Sequence, residues 1–222
     1  MENQNQSTEV AVTATKDKQE LMTKETSSIA SKLSQMFQEF VESNKNMGLD
    51  YVNVGAWIRW DKKGIFYVKD TEEKLGDECE CVMIAGKERF VLWGAKGTAY
   101  NGQILISADT REEAEEAFDN LADEILDSHS RDKIQARYLA TIITRKSIEA
   151  DNPEIFNLSF PPSAKYAFGH WSHSLFMGRG DGIPPKTPVS HVYCIISTVT
   201  RKVKNSTDEY ITLEFRSNGL VG

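Results

Sequence analysis

Cations in this chain gather where extended segments begin and end. Arg137 and Tyr138 open one run of apolar residues, and Arg145 and Lys146 close it. Arg201, Lys202 and Lys204 close another, just before the turn Asn205-Ser206-Thr207-Asp208. Lys62 and Lys63 lie in a turn, with Trp57 before it and Phe66 after it, and Tyr193 and Tyr210 flank the Arg201 cluster. Lysines and arginines at hairpin tips can follow a phosphodiester backbone, and flat rings on the same strands can stack unpaired bases at about 1–3 kcal/mol each. That mixture is the chemistry of single-stranded nucleic-acid binding. The competing explanation is solvated surface and core, because edge lysines also discourage aggregation and rings on alternating strands fill interiors.

Other constellations are weaker. His170 and His173 stand three apart on a helical segment, and Cys79 and Cys81 share a strand face, but their spacing matches no zinc-ribbon pattern. Three cysteines are no disulfide framework. GRGDG (178–182) lacks the Lys-Ser/Thr pair of a phosphate-binding loop, and GAKG (94–97) is too short for a nucleotide fingerprint. No G-x-S-x-G or H-E-x-x-H set is present. The chain is expected to be no enzyme, with no metal and no cofactor.

These side chains need elements to hold them. Residues 1–20 are polar and aperiodic, the composition of a disordered arm. Spacings of three and four among Ile29, Leu33, Met36, Phe37, Phe40 and Val41 predict an amphipathic helix within 21–48. From Tyr51 the period becomes two, and short strands follow: YVNVGAWIRW, IFYVK, CECVMIA, then KERFVLW after a turn at Gly86, and GQILIS. A helix over 110–128 starts at Asp109 or Thr110, buries Ala114, Phe118, Leu121 and Ile125, and exposes an acidic face. A long strand over 136–149, the strand EIFNLSF, a helix after Pro161-Pro162 with the stripe Ala164, Phe168, Trp171, Leu175 and Phe176, and two long final strands complete the order. The fold class is mainly β with α (α+β). An OB-like antiparallel β-barrel with flanking helices fits that order, and an open sheet with helices on one face is the alternative. The domain spans 49–222, as one barrel or two packed units, 49–133 and 134–222.

Charge is uneven. The net charge of −7 excludes a uniformly basic binder. Residues 1–50 hold 8 acids and 5 bases, 51–133 hold 18 and 11, and 134–222 hold 7 and 10, so the last part is basic in an acidic protein. No apolar run approaches the roughly 18–20 residues of a membrane span. The N-terminus lacks the basic and apolar regions of a secretion signal. A cytoplasmic location is expected.

The segments WIRWDKKGIF, YLATIIT, LSFPPSA and TRKVKN before YITLEF make residues 51–216 resemble single-stranded DNA-binding proteins of bacteriophages and mobile elements. The resemblance implies an OB fold whose long basic hairpin grips the strand during replication or recombination in a phage-infected or plasmid-bearing cell. Single-stranded DNA, or RNA, would be the partner, with homo-oligomers and replication or recombination proteins as further ones. Bacterial relatives of that kind recruit proteins through an acidic C-terminal tail. This chain ends RSNGLVG, so the acidic face of 110–128 takes that role instead. The alternative is a structural or adaptor module, a virion or assembly component, in which the hairpins and the first helix pair with other subunits.

Overall fold

The computed structural model describes residues 29–47, 56–179, 182–204 and 206–221. The expected arm 1–20, the first part of the first helix and the segment Tyr51–Val54 lie outside them. Nine strands form one sheet: β1 (Ala56–Trp60), β2 (Phe66–Val68), β3 (Lys74–Gly76), β4 (Glu78–Trp93), β5 (Ile104–Ala108), β6 (Gln135–Thr144), β7 (Ile155–Phe160), β8 (Val192–Lys202) and β9 (Glu209–Leu220). Their order is β3-β2-β1-β7-β6-β4-β8-β9, with β5 pairing β4. β1 runs parallel to β7, and the long strands β4, β6, β8 and β9 pair antiparallel. β4 lies between β6 and β8, so segments 49–133 and 134–222 share one sheet.

The sheet curls into a half-barrel. Four strands separate β2 from β8 in the order, yet Thr198 Oγ1 on β8 donates to Gly64 O in the β1–β2 turn at 3.2 Å. The contact needs a glycine: Gly64 has φ +83°, and a Cβ there would fall 2.1 Å from Thr198 Oγ1.

Among the described residues five α-helices accompany the sheet: α1 through 29–46, α2 (Arg111–Asp119), α3 (Asp123–Leu126), α4 (Arg145–Glu149) and α5 (Pro162–Phe176). The inner face of the half-barrel carries Ile58, Phe66, Val68, Ile142, Leu158 and Phe160, closed by Ala164, Trp171 and Leu175 of α5. The proline pair fixes where α5 starts, since proline at the first helical turn forfeits no intrahelical bond. On the outer face, α1 lays Ile29, Leu33 and Met36 against Val82, Ile143 and Tyr193. No helix among the described residues is long and apolar enough to cross a membrane.

The sheet is an α+β arrangement, and four local expectations need correction. Gly86 makes no turn: CECVMIA and KERFVLW are one 16-residue strand. Glycine is there because the Tyr138 ring of β6 occupies the space a Cβ would take, with Oη 2.3 Å from that position. The helix over 110–128 is two helices. Thr110 and Glu113 form a capping box at the start of α2, and the Asn120 side chain binds Glu116 O where it ends. The strand over 136–149 stops at Thr144, whose hydroxyl accepts from Ser147 N and starts α4, so Arg145 and Lys146 sit on a helical turn. Phe176, one step off the stripe of α5, is 56% exposed.

Candidate nucleic-acid interface

On the half-barrel, one basic hairpin tip meets the strand that leads to another. The first is the β1–β2 turn. Asp61 Oδ1 accepts from Lys63 N at 2.8 Å and Ile65 N at 3.0 Å, and Gly64 N donates to Asp61 O at 3.0 Å. This side-chain-closed turn is what the sequence Asp-Lys-Lys-Gly favours. The Ile65 amide, more than any other neighbour, holds the Asp61 carboxyl below the ordinary range. The second tip ends the β8–β9 hairpin, with Arg201 opposite Tyr210 and Lys202 opposite Glu209. The Gly64–Thr198 contact sets the first tip three residues from Arg201. Lys62, Lys63, Lys202 and Lys204 are exposed and make no ion pair among the described residues, and Tyr210 is exposed beside them. Arg201 pairs with Glu214 at 2.8 Å.

Arg145 and Lys146 do not join this group. Cys81 pairs with Thr144 on one side and Cys194 on the other, so Arg145 is level with the start of β8. Arg201 lies seven residues beyond Cys194, about 23 Å along an ideal strand. The Arg145–Lys146 end is also neutralised. Arg145 bonds Glu80 at 2.7 Å and Glu149 at 2.6 Å, which raises its pKa, and Lys146 bonds Glu73 at 2.8 Å with the same effect.

The expected stacking rings divide too. Phe66 is fully buried on the inner face. Tyr193 is 8% exposed, under α1, with the Arg145 guanidinium 4.7 Å from its ring centre. Tyr138 packs between Phe160 and Phe168, at centroid distances of 5.4 and 5.0 Å. These three serve the core, where burying a large ring gains roughly 1.5–3 kcal/mol at all times. Of the tyrosines and phenylalanines proposed for stacking, Tyr210 is the one at the surface.

Trp57 and Arg137 meet elsewhere, in an open cleft of about 380 Å³ on the outer face. Among the described residues its walls include Trp57, Trp93, Arg59, Lys96 and Arg137 and no acid, while the Trp60 ring packs against Phe66 on the inner face. Trp57 meets Trp93 edge-on at 5.5 Å, and the Arg59 guanidinium lies 4.9 Å from the Trp93 ring centre. Arg59 donates to Gly102 O at 2.6 Å, which fixes its pose. Arg137 faces Arg89 across the β4–β6 ladder. Arg89 is balanced by Asp109 at 2.9 Å, whereas Arg137 donates to Gln135 Oε1 at 2.8 Å. Burial lowers the Arg137 pKa. Arg137 Nε and Ser159 Oγ are shielded from solvent without a hydrogen-bond partner, a loss of about 1–3 kcal/mol each. Sequence reading missed Trp93, Lys96 and Ser159 here. Alternation along β1 already set Arg59 on the same face as Trp57, but only pairing through β7 and β6 brings β4 and its Trp93 to them.

Cys79, Cys81 and Cys194 are buried and free, and burial raises the Cys194 pKa. His170 lies 4.4 Å from the Tyr166 ring, and among the described residues no three His, Cys, Asp or Glu side chains gather as for a metal. Comparison with protein-family models, with curated proteins and with solved structures gives no match.

Proposed function

We propose that this chain is a non-enzymatic, largely sequence-independent single-stranded DNA-binding protein that uses its curled sheet as an OB-like half-barrel. The observation that carries the reading is the Gly64–Thr198 contact, which sets the Lys62–Lys63 turn against the strand that leads to Arg201 and Lys202, with Tyr210 exposed opposite Arg201 and the four lysines making no ion pair among the described residues. Lysines without carboxylate partners can neutralise phosphates and release counterions, while an exposed tyrosine offers a face to a base. Together with the phage-like sequence texture, this supports a role in replication or recombination of a mobile element. The exposed acids Glu112 and Glu116 of α2 suit a cationic protein partner. Ile29, Leu33 and Met36 of α1 pack on the sheet, which supports strand binding over assembly through that face of the described helix.

The test is fluorescence anisotropy with oligo-dT at low salt, with oligo-U and duplex DNA alongside. Wild type is expected to prefer oligo-dT, and the pairs Lys62→Glu with Lys63→Glu and Lys202→Glu with Lys204→Glu each to lose at least about tenfold in affinity. Wild-type affinity in both pairs, or no binding by wild type, overturns the reading. Preference for oligo-U would reassign the strand to RNA.

A further inference from the structure

The rings of Trp57 and Trp93 meet in one cleft together with three cations and no acid among the described residues, in a protein of net charge −7. Its volume of about 380 Å³ lies within the roughly 300–1,000 Å³ of small-molecule sites. The polar groups converge as well. Ser159 pairs with Leu139 across the β6–β7 ladder, and Arg137 lies two residues further along β6, so both side chains project on one face as diagonal neighbours. Each has a shielded polar atom without a partner: Nε of Arg137 and Oγ of Ser159. Arg137 also stands opposite Arg89, whose charge Asp109 already balances. Arg137 is then the cation of the pair that meets no carboxylate among the described residues, and an anion in the cleft would balance it.

We propose that this cleft is a nucleotide site, in which Arg137, Ser159 and Lys96 hold a phosphate and the half-buried Trp93 ring, backed by the buried Trp57, takes the base. Arginine suits the phosphate because its planar fork offers several donors to one group of oxygens. The Trp93 indole suits a base of any identity, because stacking uses the ring face and not its edge. The same chemistry is offered by a free nucleoside monophosphate and by the phosphorylated end of a strand. The site does not depend on the hairpin tips.

Tryptophan fluorescence of the full chain reads the site through Trp93 and Trp57, with Trp60 and Trp171 packed on the inner face. AMP, dTMP, 5′-phosphorylated oligo-dT and unphosphorylated oligo-dT are titrated in turn. Saturable quenching by a free nucleotide, or by the phosphorylated strand well below the concentration needed for the unphosphorylated one, is the expected result, and which of the two acts names the source. Arg137→Gln is expected to weaken that binding at least tenfold. Lys96→Glu is expected to weaken it several-fold with an unchanged circular dichroism spectrum, since Lys96 is exposed. The lysine-tip variants should leave it unaltered, so failure here is separable from failure of strand binding. The proposal is overturned by no saturable quenching, by phosphorylated and plain strands acting alike with nucleotides inert, or by wild-type affinity in both Arg137→Gln and Lys96→Glu.

Discussion

Asp61 is the residue on which the first basic tip turns. Its carboxylate accepts two backbone amides, and the Ile65 amide does most to depress its pKa. A depressed carboxylate stabilises the fold above its ordinary pKa of about 3.9, and that contribution is lost as pH falls through the lower folded value. Asp61→Ala should therefore lower the thermal midpoint at pH 7, and the gap to wild type should narrow as the pH falls toward 2. A gap of constant size across that range would mean that the charge on Asp61 contributes nothing to the turn. The contrast with Arg145 is instructive. Both residues are polar and close to strand ends, but Arg145 is spent on Glu80 and Glu149, whereas Asp61 serves to present Lys62 and Lys63.

At the scale of elements, β4 is the spine. It pairs with β6 over one stretch, with β8 over another and with β5 at its far end. Gly86 sits in its middle, where the Tyr138 ring crosses the strand. That ring cannot swing away freely, because Phe160 and Phe168 hold it from the inner side. Gly86→Ala should cost about 1–3 kcal/mol, the usual range for overpacking a filled interior, as measured by urea denaturation. An unchanged midpoint would show that the Tyr138 ring is not held. The same packing explains why a glycine that reads as a turn in the sequence interrupts nothing.

Over the whole molecule, net charge and binding charge are separate quantities. The chain carries −7, but its acids pair with many of its bases, and the four tip lysines stand apart from that network. The salt dependence of strand binding should report those four. At about 0.7 per phosphate neutralised on a single strand, the slope of log K against log salt should be close to −3. The variant with all four tip lysines changed to glutamine should show a slope near zero. A steep slope in that variant would place the strand elsewhere on the surface.

What could be read from the chain alone is what short-range order decides. Alternation over SHVYCIISTVTRK and EYITLEF marks β8 and β9, the proline pair marks the start of α5, and Asp-Lys-Lys-Gly marks the first tip, because each signal relates residues within a few positions of one another. The tertiary structure decided the rest. Arg145 meets Glu80 across 65 positions, and Lys146 meets Glu73 across 73. Thr198 meets Gly64 across 134, which sets the first basic tip against the strand that leads to the second. The tryptophan cleft needs β1, β7, β6 and β4 side by side. Local periodicity assigns a residue to a face of its own strand; strand order, register and curl decide which other faces it meets, and those follow from the global packing of the core.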